Sequence, residues 1–247
     1  MQSTSNPQNL PQVREIFYRH ILYNPSPMKK IELVIFDCDG VLVDTEPLAN
    51  HVFVELVREN GFDVDENTYL HKFSGVTLPD RIRTTEQELS WSAPEDFLPQ
   101  FHERLIELTE ANMQPVDGIH ELVRSLPVPI CVASNGSRAE IDLRLRLSKL
   151  APFFGSAIFS GLEVANPKPA PDVYLAAAQS FGIEPSRCVV VEDSLPGVSA
   201  GRSAGMRVYG YAALTSKDKL VEAGAIPFAS MNELQHILAQ EFQSIRP

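Results

Sequence analysis

The chain has 247 residues, 44% of them hydrophobic, and a formal net charge of −11 from 21 Lys+Arg against 32 Asp+Glu. At about 150 residues per domain this is one large domain or two modest ones, and its globular composition excludes disorder and coiled coil. No apolar run approaches the ~18 residues of a membrane helix, and an acidic chain without basic clusters is a poor partner for nucleic acid or an anionic membrane.

Residues 1–28 are rich in Gln, Asn, Ser and Pro and lack the charged and apolar regions of a signal peptide. Val13, Phe17 and Ile21 recur at helical spacing, which predicts a short helix over Val13–Leu22. Met28-Lys29-Lys30 leads directly into a strand, so 1–28 is read as an N-terminal extension of the domain. From there strands alternate with helices. Buried-type strands are predicted at Ile31–Phe36, Val128–Ala133, Ala157–Phe159, Cys188–Val191 and Met206–Tyr209. Helices are predicted at Ala139–Leu150, Pro171–Phe181, Gly197–Ala204 and Met231–Phe242. That alternation implies right-handed βαβ crossovers and a parallel sheet.

The alternation is interrupted once, over residues 45–115. Thr45 is read as a helix cap with Pro47 in the first turn, Leu48, Val52, Phe53, Leu56 and Val57 as one face, and Gly61 as the stop. A second helix over Pro94–Ala111 puts Phe97, Phe101, Leu105 and Leu108 on one stripe. This helical insertion after the first strand is expected to form a separate cap, with 29–44 and 116–247 forming the core. The insertion holds 14 acids against 5 bases, a net −9, so most of the chain's charge lies there.

In open parallel sheets, ligands bind outside the carboxyl ends of the strands. Those ends carry Asp37 and Asp39, then Ser134 and Asn135, then Glu192 and Asp193, with Lys168 in the loop after the third strand. Carboxylates gathered at one edge repel each other by several kcal/mol unless a cation intervenes, and all-oxygen ligation suits Mg2+ with a substrate phosphate. Ser134, the N–H groups after it and Lys168 supply donors for phosphoryl oxygens. Each element has a plainer reading: a capped turn, a turn before a helix, a solvated lysine, a helix dipole partner. Their joint placement at the strand ends of one sheet favours phosphoryl transfer.

Phe36-Asp-Cys-Asp-Gly-Val-Leu-Val-Asp-Thr-Glu46, Val132-Ala-Ser-Asn-Gly136, Asn166-Pro-Lys-Pro169 and Val190-Val-Glu-Asp-Ser-Leu-Pro-Gly197 resemble the four motifs of the haloacid dehalogenase superfamily. The resemblance runs from about residue 31 to residue 212 and points to the branch of β-phosphoglucomutase-like and phosphoglycolate-phosphatase-like enzymes. It implies an α/β fold, a Rossmann-like parallel sheet core with a helical cap inserted after the first strand. It also implies roles. Asp37 corresponds to the nucleophile that forms an aspartyl-phosphate and ligates Mg2+. Asp39 corresponds to the general acid/base, with its carbonyl on the metal. Ser134 and the N–H of Asn135 would hold the phosphoryl group and Lys168 would bridge it to the nucleophile. Asp193 would ligate Mg2+, with Glu192 supporting it directly or through water.

Asp39 separates the chain from the family's dehalogenases and phosphonatases, which lack that second acid. The mutases carry a histidine where this chain has Ala49 and a basic residue in the cap specificity loop, where Gly75, Val76 and Thr77 are followed by Leu78; Arg81 and Arg83 are read as facing away. The expectation is a Mg2+-dependent phosphatase of a small phosphorylated metabolite, a sugar phosphate or phosphorylated sugar acid. The alternatives are a sugar-phosphate mutase and a non-catalytic phospho-ligand sensor. Cys38, Cys131 and Cys188 cannot pair fully and are read as reduced thiols of a cytoplasmic protein, a monomer or weak homodimer.

Overall fold

The computed structural model describes residues 30–73 and 76–244. The expected extension over 1–28, its helix at Val13–Leu22 and the cap-loop residue Gly75 lie outside the described residues. Four apolar residues, Leu33–Phe36, form β1 with every side chain buried, as a parallel strand covered on both faces requires. β2 (Ile130–Ser134), β3 (Ile158–Ser160), β4 (Cys188–Glu192), β5 (Arg207–Tyr211) and β6 (Ile226–Phe228) complete an all-parallel sheet in the order β3-β2-β1-β4-β5-β6. Winding reverses between β1 and β4. At such a switch point the crossovers leave in opposite directions, and a crevice opens beyond the strand ends.

The cap consists of α1 (Glu46–Glu59), α2 (Glu66–Lys72), α3 (Leu78–Leu89) and α4 (Phe97–Asn112). Its apolar faces meet in a cluster of their own, with Phe53 edge-on to Phe97 at 5.5 Å and Val57, Tyr69 and Phe101 buried around them. The chain leaves the core and returns side by side: Asp44 N–H donates to Gln114 O (3.1 Å) and Val116 N–H to Leu42 O (3.0 Å).

The remaining helices flank the sheet: α5 (Ile119–Ser125), α6 (Arg138–Leu147), α7 (Ala151–Phe154), α8 (Asp172–Phe181), α9 (Leu195–Ser203), α10 (Lys217–Glu222) and α11 (Met231–Ser244). Leu33, Ile35, Cys131 and Val190 pack with Val173, Tyr174 and Val198 in the main core. The helix expected over Ala139–Leu150 ends at Leu147, and α7 is a separate turn that begins at Ala151. Lys149 adopts a left-handed φ of 60°, and the N–H groups of Leu150 and Lys149 donate back to Leu145 and Arg146, a Schellman stop made without glycine. Among the described residues no helix is long and apolar enough to cross a membrane.

Candidate active site

Parallel register sets Phe36 level with Val132 of β2 and Val191 of β4, so the residues that follow on the three strands converge. The N–H of Asp37 donates to Val191 O at 2.9 Å, which fixes its carboxylate beside the end of β4. Gly40 turns the loop at φ 74°; a Cβ there would stand 2.1 Å from Asp193 Oδ2. Only glycine allows the two acidic loops to approach this closely.

Lys168 reaches this point from the loop after β3. The Asn135 side chain grips its peptide at both ends, accepting from Lys168 N–H (2.9 Å) and donating to Lys168 O (3.1 Å). Its Nζ lies 2.5 Å from Asp37 Oδ1 and 2.8 Å from Glu192 Oε1, above the Tyr174 ring. Glu192 is saturated: Oε1 also accepts from Tyr174 Oη, and Oε2 from the N–H groups of Asp193 and Ser194 and the Ser194 hydroxyl. Burial alone would raise Glu192, but Lys168 and the Ser194 donors hold it below the ordinary carboxylate range. Burial would lower Lys168, but Asp37 and Glu192 keep it firmly cationic.

Carboxylate oxygens of Asp37, Glu192 and Asp193 lie within 4.8 Å of one another. Burial pushes Asp37 up to about 7 against the pull of Lys168, with Glu192 and Asp39 adding to the rise. Burial, Glu192 and Asp37 push Asp193 well up. One lysine does not balance this group. The all-oxygen donor set and its uncompensated charge fit a hard divalent cation.

Ser134 is buried, and its Oγ accepts from Gly136 N–H at 3.2 Å, which leaves its hydroxyl hydrogen available as a donor. Asp39 stands apart from the metal-type cluster. Its Oδ1 accepts from the Thr45 hydroxyl (3.0 Å), and its Oδ2 faces Arg144 Nη1 at 3.2 Å. Thr45 therefore does not cap α1 as expected: it occupies the N-cap position with helical backbone angles and no side-chain cap bond, because its hydroxyl turns to Asp39.

In the cap, Val76 is exposed, the Thr77 hydroxyl caps α3, and Leu78 leans on the cap's apolar cluster. Arg81 is not a solvent-facing residue. It is buried, donates to Asn50 Oδ1 and lies 4.2 Å from the Phe53 ring centroid and 5.1 Å from that of Phe73. Arg144, Tyr174 and the Thr45 hydroxyl join the site without having been foreseen. Tyr174 was hidden inside a predicted helix, and the Arg144–Asp39 contact has no local signature.

A family model for haloacid dehalogenase-like hydrolases matches residues 31–205. The chain is 31% identical over 216 residues to a phosphorylated carbohydrates phosphatase of Thermotoga maritima, covering 85% of this chain and 99% of that one. It is 26% identical over 211 residues to the 6-phosphogluconate phosphatase of Escherichia coli, covering 85% and 96%. Among solved structures, a haloacid dehalogenase-like protein of unknown function from Agrobacterium tumefaciens superposes with a TM-score of 0.79 at 34% identity, covering 85% of this chain and 98% of that one.

Proposed function

The chain belongs to the haloacid dehalogenase-like hydrolases, and from that membership we propose a Mg2+-dependent phosphatase of small phosphorylated sugars or sugar acids that works through an aspartyl-phosphate. The observation that carries this reading is the buried contact of Lys168 with Asp37 beside Asp193 and Ser134, at the switch point of the sheet. A carboxylate attacks a phosphate dianion only where charge is neutralised in advance.

Asp37 and Asp193 would hold Mg2+ with their carboxylates and Asp39 with its carbonyl. Glu192, its oxygens engaged by Lys168, Tyr174, Asp193 and Ser194, would support the ion indirectly by fixing Lys168 and the loop that carries Asp193. When bound, the ion supplies positive charge against the phosphoryl oxygens. Lys168, the Ser134 hydroxyl and the Asn135 N–H grip the phosphoryl group. An oxygen of Asp37 bonds to phosphorus as the ester P–O bond breaks, and Asp39 gives its proton to the departing oxygen. Asp39 then takes a proton from water, the water oxygen bonds to phosphorus, and inorganic phosphate leaves Asp37 free.

Water, not a sugar hydroxyl, is the acceptor. A mutase must clamp the second phosphate of a bisphosphate intermediate, yet Ala49 and Leu78 stand where the mutases carry a histidine and a basic residue. Arg81 is engaged by Asn50, Phe53 and Phe73 within the cap. With Mg2+ and a hexose 1-phosphate, inorganic phosphate should appear and hexose 6-phosphate should not. Hexose 6-phosphate formed faster than phosphate would overturn the assignment. The three cysteines Cys38, Cys131 and Cys188 are buried and unpaired, which supports a reducing, cytoplasmic setting.

A further inference from the structure

Arg144 lies on α6, and that helix carries it back across the loop that follows β2. One point above Gly136, where a Cβ would stand, is 3.2 Å from Arg144 Nη1, 3.6 Å from Glu140 Oε2 and 3.7 Å from Ser134 Oγ. The Glu140 carboxylate, held by the Ser137 N–H and hydroxyl, therefore lies near the guanidinium as well. The missing side chain at Gly136 thus opens the path by which the guanidinium crosses the phosphoryl-gripping loop to meet Asp39. The Arg144 side chain is 17% exposed and that of Asp39 36%, so the pair sits at the mouth of the crevice.

The two cations of the site are divided in position. Lys168 serves the side of the nucleophile, held between Asp37 and Glu192. Arg144 stands on the side of Asp39, where the leaving group departs. Both oxygens of Asp39 are occupied, Oδ1 by Thr45 and Oδ2 by Arg144. Each of these oxygens keeps a further lone pair, but the Arg144 contact competes for Oδ2 and fixes where the carboxyl points. The guanidinium fork fits any carboxylate, so a carboxylate on the leaving group can replace Asp39 as its partner. A neutral leaving group offers no such exchange. A further anionic charge entering beneath a cap of net −9 also needs a fixed positive group to meet it.

We propose that Arg144 is a specificity-determining residue that binds a carboxylate on the leaving group, so that phosphorylated acids are the preferred substrates and their binding frees Asp39. This rests on the phosphatase reading above and narrows its substrate class. No covalent bond changes in the exchange; Arg144 trades one carboxylate partner for another.

The test compares 6-phosphogluconate with sorbitol 6-phosphate, which differ by a carboxylate in place of a hydroxymethyl group. The full chain with Mg2+ should prefer the acid by about tenfold or more in kcat/KM. Arg144→Met should cut kcat/KM on the acid about 10- to 100-fold more than on the polyol, the scale of one charged hydrogen bond, and Arg144→Lys should restore part of the preference. Equal losses on the two substrates, or a wild type without preference for the acid, overturn the proposal. Product inhibition reads the same subsite without a variant: gluconate should inhibit the wild type at lower concentration than sorbitol, and equal inhibition counts against the proposal. Phosphate release from 4-nitrophenyl phosphate separates the two claims. If release persists while the preference is missing, only the Arg144 assignment falls; if no phosphate is released from any substrate, the phosphatase reading falls with it.

Discussion

In the core, Lys168 pairs with Asp37 and Glu192 through side chains that are 4%, 11% and 1% exposed, whereas in the cap Arg104–Glu59 and Arg58–Glu55 join side chains that are 37% to 51% exposed. The same chemical pairing does different work in the two places. Out of water, each charge depends on its partners, and removing one leaves an uncompensated ion. At the surface, water and salt already solvate both members, and the pair adds little. The site of the core therefore concentrates a few charges where they act strongly, while most charges of the cap, the buried Arg81 apart, lie where they act weakly.

The sharpest way to break this comparison is Asp37→Asn. The variant should fold normally and lose turnover by about 10⁴-fold or more, since the shape is kept and the attacking charge is gone. Activity within roughly tenfold of wild type, a barrier change of only ~1.4 kcal/mol, would end the covalent mechanism.

Lys168→Met should cost about 10³-fold in kcat and also destabilise the metal-free protein by roughly 3–5 kcal/mol, the usual effect of stranding buried carboxylates. Urea unfolding measures the second effect, and a loss below 1 kcal/mol would show that these acids are not held by the lysine.

Saturating Mg2+ should raise Tm by several degrees relative to EDTA, since a ligand at about 100-fold its Kd adds ~2.7 kcal/mol and each kcal/mol moves a chain of this size by about 2–4 °C. Asp193→Asn should abolish that response while melting no lower than wild type in EDTA, because one carboxylate has left a crowded group. A Tm response that survives Asp193→Asn would remove this residue from the metal site.

The smallest effect belongs to the cap. Arg104→Met should cost about 0.2–1 kcal/mol at neutral pH. Hydrogen bonds from Arg104 hold Glu59 below its ordinary value of 4.5, so the contribution is present above that value and lost as pH falls through the folded-state pKa. Wild type and variant should therefore converge in stability in acid, and a difference that grows there would contradict the assignment.

The elements differ in how readily they could be read. β1, β2 and β4 were legible because runs such as Leu33–Phe36 and Cys188–Val191 are apolar throughout, the mark of strands covered on both faces. β6 was missed: Ile226-Pro227-Phe228 is too short to show periodicity, and its proline speaks against a strand until the edge position is known. In the cap, α1 and α4 were seen by their apolar stripes. α3 was not, because its Leu78–Leu89 segment is mostly polar and its buried members include Arg81 and Thr85, which no hydrophobic pattern marks.

The amino-acid order by itself determined the parallel α/β core, the helical insertion after the first strand and the gathering of Asp37, Asp39, Ser134, Lys168, Glu192 and Asp193 at one sheet edge. It could do so because strand ends in a parallel sheet share an edge whatever the lengths of their connections. What only the tertiary structure decided is which side chains meet there. Asn135 turns to the Lys168 backbone, Tyr174 reaches Glu192, and Thr45 gives up its cap for Asp39. Arg144 crosses Gly136 to the same carboxylate, and Arg81 sinks between Phe53 and Phe73. Except for Thr45–Asp39 and Arg81–Phe73, these contacts join residues far apart in the chain, with no spacing or period to announce them. They arise from packing, which brings a polar group to the nearest partner once water has been excluded.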